Sequence, residues 1–213
     1  MMFNNRQDAG NQLAKHLVSY QNNPNALVLG LACGGMPIAF EIAQLLHLSF
    51  HTLVVRKIKS PQNPNLSLGA IAEQDIELIH ADLIGLLDIP NDYVRKELEN
   101  QKTHLAKQAK SYHISERLLY QKHIILVDDG MATGSSMQVA IHALEKLQVA
   151  SIHLAVPVAS RSSLAKISKE QITCLFSPSF FEKISDFYHA FDPVSDLEVI
   201  HFLNHSSYDL ATI

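Results

Sequence analysis

Short, almost wholly apolar runs recur along this chain of 213 residues, and segments with helical periodicity separate them. The runs Ala26 to Leu31, His123 to Val127, Ser151 to Val158 and Ile172 to Phe176 contain no Asp, Glu, Lys or Arg. Strands without a polar face are typical of parallel sheets that helices cover on both faces. The alternation therefore predicts an α/β fold with a mostly parallel sheet, whose ligands bind at the carboxyl ends of the strands.

The other segments fit one domain spanning residues 1–213, because a chain of this length can bury a sizeable core. Apolar spacing and capping residues predict helices at Asp8 to Tyr20, Pro37 to His47, Asn91 to His113, Met137 to Leu147, Leu164 to Ser168 and Asp196 to Asn204, the last capped by Ser195. Short strands are predicted at Leu53 to Val55 and Ile76 to His80. Function is then expected in the loops after Leu31, Val55, Val127 and Val158.

Charge and composition exclude several classes of function. Seventeen basic and twenty-one acidic residues give a net charge of -4, and no segment concentrates Lys or Arg, so nucleic acid is not an expected partner. The apolar stretch Ala26 to Phe50 contains Gly34, Gly35 and Pro37, which would break a membrane-spanning helix. With no signal-peptide pattern at the start and no CxxC motif, we expect a cytoplasmic protein. The oligomeric state is open, and a homodimer is compatible with these features.

The strand His123 to Val127 leads into the segment DDGMATGSS. Two acids that leave a strand together, Asp128 and Asp129, can bind sugar hydroxyls or the water shell of Mg²⁺, since both need clustered anionic acceptors. Backbone N–H groups at the following helix start, with the hydroxyls of Thr133, Ser135 and Ser136, can hold an anion. The segment therefore indicates a sugar site beside a phosphate site, and a capped Asp turn is the structural alternative.

Here the sequence resembles a known family. ILVDDGMATGSSM is similar to the motif with which phosphoribosyltransferases bind 5-phosphoribosyl 1-pyrophosphate (PRPP). FNNRQDAGNQLAKHL, LVLGLACGGMPIAFEIAQLL, VVRKIKSPQNPNLSLGAIAE and FYHAFDPVSDLEVIHFL resemble, in order, a stand-alone bacterial branch of unassigned acceptor. The resemblance covers nearly the whole chain, and it implies the Rossmann-like type I phosphoribosyltransferase fold with a small hood from the terminal segments, residues 1–20 and 176–213.

The resemblance also implies an activity and a site. The activity is transfer of a phosphoribosyl group from PRPP to a small nitrogenous acceptor, with Mg²⁺ as cofactor and release of pyrophosphate. The implied residues are Asp128 and Asp129 for the ribose hydroxyls and, through water, for the metal; Ala132, Thr133, Gly134, Ser135 and Ser136 for the 5-phosphate; and Ala32, Cys33, Gly34, Gly35, Arg56 and Lys57 for pyrophosphate. The family often has a strained peptide bond in the loop at Ala32 to Gly35, and residues 57–72 correspond to its flexible loop.

One residue departs from this branch, which usually has a basic residue where Cys33 stands. A cation there would offset the charge that develops on leaving pyrophosphate. Without that cation, the groups that remain to stabilise pyrophosphate are the amides of Gly34 and Gly35, the metal, and Arg56 or Lys57. We expect Cys33 in place of a basic residue to affect catalysis more than binding of PRPP.

Other functions stay open beside the transferase. A regulator that senses PRPP or a nucleotide could have kept the fold and lost turnover, and Cys33 supports that hypothesis. Cys33 at a strand-to-helix turn could also be the nucleophile of a hydrolase, although the flanking glycines do not fit the nucleophile elbow. His201 and His205 have the i,i+4 spacing of helical metal ligands, but no third ligand accompanies them, so exposed helix histidines are expected.

Overall fold

The structure, a computed structural model, describes residues 2–63, 66–73, 76–112, 118–167 and 171–205. Its strands are Ala26–Leu31 (β1), Ser49–Leu53 (β2), Val55–Lys59 (β3), Ser67–Ala72 (β4), Ile76–Ile79 (β5), His123–Val127 (β6), Ser151–Val158 (β7) and Gln171–Phe176 (β8). Its α-helices are Arg6–Ala14 (α1), Met36–Leu46 (α2), Ala81–Leu86 (α3), Asn91–Tyr112 (α4), Ser135–Lys146 (α5), Arg161–Leu164 (α6) and Asp196–Asn204 (α7).

Five of the strands form one parallel sheet in the order β2-β1-β6-β7-β8. Along β1 successive side chains enter different cores, because they point to opposite faces of a sheet. Val28 packs in the core that includes α1 and α2, whereas Leu27 and Leu29 pack in the core that includes α5. The predicted α/β fold, with a parallel sheet between two helical layers, is confirmed.

The remaining three strands form a separate antiparallel sheet in the order β3-β4-β5. The strand predicted at Leu53 to Val55 is wrong, because the boundary between the two sheets falls at Val54. Leu53 ends β2 in the parallel sheet, and Val55 begins β3 in the antiparallel sheet. The apolar run in the sequence joins two strands that have different partners.

Residues 57–72, predicted as a flexible loop, include strand structure at both ends. Lys57 lies in β3, and β4 pairs with β3 and with β5, while the small residues Ala70 and Ala72 pack against α5. The segment is therefore a β-hairpin whose connection spans residues 60–66, of which 64 and 65 lie outside the described residues. That this hairpin moves over a ligand stays a prediction.

Two helix predictions were misplaced. The helix predicted to reach Tyr20 ends at Ala14, and the apolar spacing continues through a turn into a short 3₁₀ segment, Val18–Tyr20. The helix predicted at Leu164 to Ser168 instead covers Arg161–Leu164, because Ser160 caps it by accepting a hydrogen bond from the Ser163 amide.

The two terminal segments meet over the carboxyl edge of the sheet. The Phe3 amide donates to the Phe187 carbonyl, and the His189 amide donates to the Phe3 carbonyl. Helix α7 begins at Ser195 with the predicted cap, reinforced by Glu198 as a capping box. The association of the terminal segments agrees with a hood, and its role over an acceptor stays a prediction.

Candidate functional site

The strand register brings two predicted loops together at the carboxyl edge of the sheet. Gly30 of β1 lies opposite Val127 of β6, so the chain after β1 and the acids after β6 leave the sheet side by side. A Cβ on Gly34 would collide with the Asp129 carboxylate, and a Cβ on Gly35 would collide with the Val127 carbonyl. Both glycines are thus required by close approach of the neighbouring strand. The peptide bond between Ala32 and Cys33 is cis.

A cavity of about 380 Å³ opens at this edge. It is lined by eight of the predicted site residues: Ala32, Cys33, Gly34, Arg56, Lys57, Asp128, Asp129 and Ser136. Four further lining residues, Lys59, Gln101, Gln108 and Ile184, were not singled out from the sequence. One cavity therefore joins the segments predicted to bind sugar, phosphate and pyrophosphate.

Asp128 is half-buried and faces this cavity. Its Oδ1 accepts a hydrogen bond of 2.9 Å from the Asp129 amide. Burial first, and then the neighbouring Asp129 carboxylate, raises the pKa of Asp128 to about 7, against the opposing effect of Lys57. A carboxyl group in these surroundings holds its proton more strongly than one in water.

Asp129 forms a buried ion pair that the sequence analysis missed. Nε and Nη2 of Arg6 donate to its Oδ2 at 3.0 and 2.8 Å, and both side chains are about nine-tenths buried. Burial raises the pKa of Asp129, while Arg6 acts in the opposite direction. The hydroxyl of Tyr188 donates to the backbone carbonyl of Asp129 at 2.7 Å. The partners of Asp129 lie 123 and 59 positions away, where no local sequence pattern reveals them.

The predicted phosphate loop begins α5. Gly134 precedes the helix with a φ of +80°, a conformation that side chains with a Cβ rarely adopt, so a glycine is required there. Ser136 lines the large cavity, whereas the buried Ser135 hydroxyl lies 2.8 Å from Nε2 of His80 and 3.0 Å from the Thr133 hydroxyl. Ala132 accepts a hydrogen bond at its carbonyl from Ser160. The loop thus presents Ser136 to the cavity and uses Ser135 in internal contacts.

Cys33 lies at the edge of the cavity beside a polar cluster from α4 and α7. Its Sγ is 3.7 Å from Oδ1 of Asp196 and 3.7 Å from Nε2 of Gln108. Burial and the Asp196 carboxylate raise the pKa of the Cys33 thiol. A nucleophilic cysteine needs the opposite, an electropositive environment that lowers the thiol pKa. This environment argues against the hydrolase hypothesis.

Arg56 is held at the cavity wall by two glutamines of α4. Its Nε donates to Gln101 at 2.6 Å, and its Nη1 donates to Gln108 at 3.1 Å. The amide of Gln108 in turn donates to Asp196 at 2.7 Å. The seven-residue spacing of Gln101 and Gln108 places both on one face of α4.

The sequence profile of the Phosphoribosyl transferase domain family matches residues 3–192. The chain belongs to the phosphoribosyl transferase family. Two curated proteins from strains of Mycobacterium tuberculosis, each named "Putative phosphoribosyl transferase", are 31% identical to it over 214 residues. The match covers 99% of this chain and 48% of each relative, so this phosphoribosyl transferase domain spans about half of their length.

Solved structures share the fold of this chain. The crystal structure of TT1426 from Thermus thermophilus is 30% identical, with a TM-score of 0.72, and the match covers 95% of this chain and 98% of that one. A hypothetical protein from Neisseria gonorrhoeae with bound ppGpp is 13% identical over 97% of both chains, with a TM-score of 0.50, which shows similarity of fold alone. The family and fold predicted from the sequence are thereby confirmed.

The described ranges contain neither a metal-ligand cluster nor a membrane-spanning helix. No three His, Cys, Asp or Glu side chains there are grouped as metal ligands, and His201 and His205 are exposed. None of the helices described combines the length and apolar character that crossing a bilayer requires.

Proposed function

We propose that this domain binds PRPP with Mg²⁺ and transfers the phosphoribosyl group to a nitrogenous acceptor, with release of pyrophosphate. The single observation that supports this proposal most is the cavity that joins Asp128 and Asp129 to the Ala32–Gly35 loop, Arg56, Lys57 and Ser136. Acids beside cations and a helix start are what a sugar that carries phosphate groups requires.

Each segment has a chemical task in this proposal. Asp128 and Asp129 accept hydrogen bonds from the ribose hydroxyls, and residues 132–136 hold the 5-phosphate at the start of α5. The loop amides after β1, with Arg56 and Lys57, hold the pyrophosphate. Two carboxylates together with substrate phosphates form the oxygen ligand set in which proteins hold Mg²⁺, and the bound ion would take up charge on the pyrophosphate.

The reaction needs alignment more than proton transfer. A nitrogen lone pair of the acceptor forms the new bond to the anomeric carbon, while the bond to the pyrophosphate oxygen breaks and its electrons leave with pyrophosphate. The acids hold the ribose in line, and the cations of β3 stabilise the leaving group. Water is the competing nucleophile, and closure of the hairpin β3–β4 would exclude it.

Asp128→Asn tests the sugar site. PRPP affinity, measured by calorimetry with Mg²⁺, should fall about tenfold to a hundredfold, because a charged acceptor of hydrogen bonds is lost. Asp129→Asn is a poorer test, since it would remove the buried partner of Arg6. The matched control is Asp92→Asn on α4, whose carboxyl is 90% exposed. Unchanged affinity in Asp128→Asn would contradict the proposed site.

Pyrophosphate release separates the enzyme from a regulator. The enzyme should release pyrophosphate from PRPP slowly in water and faster with one member of a panel of nitrogenous acceptors. The regulator is the second candidate, because a thiol stands where the branch usually has a cation. It would bind PRPP and release no pyrophosphate with any member of the panel.

A further inference from the structure

The Arg6 side chain is a charged group placed almost wholly inside the protein, with 8% of the residue exposed. Its Nη1 donates to the Asp192 carbonyl at 2.7 Å, and its guanidinium carbon lies 3.8 Å from the centre of the Phe191 ring. A buried guanidinium needs such partners, since an unpaired buried charge is strongly destabilising. Both terminal segments of the domain thus converge on this one side chain.

The Arg6 hydrogen bonds to Asp129 fall on one carboxylate oxygen. Nε and Nη2 both reach Oδ2, so these bonds leave Oδ1 to other partners. Oδ2 also lies against Gly34, where a Cβ would collide with it. The carboxylate is therefore fixed by Arg6 on one side and by the loop after β1 on the other, while Asp129 lines the cavity.

We propose that Arg6 is a positioning residue of the sugar site, which holds Oδ2 of Asp129 so that Oδ1 accepts a hydrogen bond from a ribose hydroxyl. This inference rests on the proposed function and adds to it a residue from α1, remote in sequence from the other site residues. Arginine suits the task because its rigid fork supplies two donors to one acceptor and its plane stacks on an aromatic ring.

The test measures how well the protein distinguishes sugars. Ribose 5-phosphate and its 2-deoxy and 3-deoxy analogues are titrated into the full chain, and their affinities are compared. Wild type should prefer ribose 5-phosphate to at least one deoxy analogue by about tenfold or more. Arg6→Met should reduce that preference to about twofold or less, because an Asp129 without its partner no longer holds a fixed orientation. Arg6→Lys should keep only part of it.

Asn5→Ala is the matched control for a merely structural effect. The Asn5 side chain caps α1 by accepting from the Asp8 amide at 2.8 Å, so its loss weakens the same helix without touching Asp129. This variant should lower the melting temperature and retain the preference for ribose. If Arg6→Met does not fold, Arg6→Lys becomes the test. A folded Arg6→Lys protein whose preference for ribose 5-phosphate is severalfold smaller would support the proposal.

The possible results distinguish failure of the proposed role of Arg6 from failure of the proposed sugar site. A wild type that prefers ribose, together with Arg6 variants that keep the preference in full, would overturn the role of Arg6 and leave the sugar site intact. A wild type that binds the three sugars equally would overturn the sugar site and, with it, this inference. A loss of preference in Asn5→Ala as large as in Arg6→Met would show that Arg6 acts through stability alone, and would also overturn the proposal.

Discussion

At the scale of single residues, two adjacent acids have opposite surroundings. Asp129 is paired with Arg6, whereas Asp128 faces the cavity beside that charged neighbour. Burial raises the pKa of both acids, and Asp128, which has no ion-pair partner among the described residues, reaches about 7. A group kept in such an environment costs folding stability, which is common where function rather than stability selects the residue.

Asp128→Asn should therefore stabilise the ligand-free protein. The folded pKa of Asp128 lies above the unfolded value of about 3.9, so the folded state holds a proton that the unfolded state has lost, and stability falls as pH rises between them. Asn removes the cost of the buried charge, and the free energy of unfolding should rise by about 1–3 kcal/mol at pH 8 and by markedly less at pH 5. Urea denaturation without Mg²⁺ measures the free energy of unfolding at each pH. An equal change at the two pH values would contradict a raised pKa of Asp128.

The cation missing at Cys33 leads to a second prediction. Arg56 reaches the cavity wall near Cys33 through its contacts with Gln101 and Gln108, so it is the guanidinium available to the leaving pyrophosphate. Arg56→Met should lower the rate of pyrophosphate release about tenfold or more. Adding Cys33→Arg to that variant should restore part of the rate, because the charge returns to the same cavity.

The matched control for Arg56→Met is Arg95→Met, whose guanidinium is on the exposed face of α4. It should leave the rate of pyrophosphate release unchanged. A double variant no faster than Arg56→Met alone would mean that a cation at position 33 cannot replace Arg56.

At the scale of elements, the sequence was informative where local chemistry decides the structure. β1, β6, β7 and α7 have the predicted bounds, because apolar runs without charge mark buried strands and Ser195 marks a helix start. The loops after β1 and β6 were likewise predicted, since their glycines and acids form local motifs.

The missed features depend on partners far along the chain. Nothing local distinguishes Leu53 from Val55, although they pair in different sheets. Arg6 lies within a segment that resembles the family, but its ion pair with Asp129 joins residues 123 positions apart, and no local pattern indicates it. Gln101 and Gln108 belong to a polar helix in which many residues have similar side chains, so only the contact with Arg56 singles them out.

The phosphate loop gives a prediction at this scale, because its two serines differ. Ser136→Ala should weaken PRPP binding about threefold to thirtyfold, since the lost hydroxyl lines the cavity. Ser135→Ala should instead lower the free energy of unfolding by about 1 kcal/mol and alter affinity less, since that hydroxyl contacts His80 and Thr133. Calorimetry and urea denaturation separate the two effects. The reverse pattern would show that Ser135 is the serine that binds phosphate.

At the scale of the whole molecule, the parallel sheet and the hairpin differ in how they are supported. β6 lies at the centre of the sheet with a strand on each side and helices on both faces, whereas β3–β5 form a small sheet of their own. Central, fully buried strands open least often. We therefore expect the slowest amide exchange in β6 and faster exchange in β3 and β4.

Saturating PRPP with Mg²⁺ should slow exchange in β3 and β4 more than in β8, none of whose residues lines the cavity. The physical reason is that a hairpin closed over a ligand opens less often than one without it. Hydrogen exchange by mass spectrometry provides the measurement, and β8 provides the internal control. Unchanged exchange in the hairpin, with binding established by calorimetry, would exclude the hairpin as a lid.

β1 and β6 are neighbours in the sheet although residues 32–122 lie between them in the chain. That stretch first returns to the parallel sheet as β2, and the hairpin and α4 lie in the excursion between β2 and β6, residues 54–122. Loop-closure entropy changes only slowly with loop length, so the connections within such an excursion can lengthen or shorten at small thermodynamic cost. The wall that carries Gln101 and Gln108 belongs to this excursion, whereas the acids and glycines at the ends of β1 and β6 lie outside it. Selection could therefore act on the length of the wall that faces Cys33 separately from the residues proposed to hold the sugar.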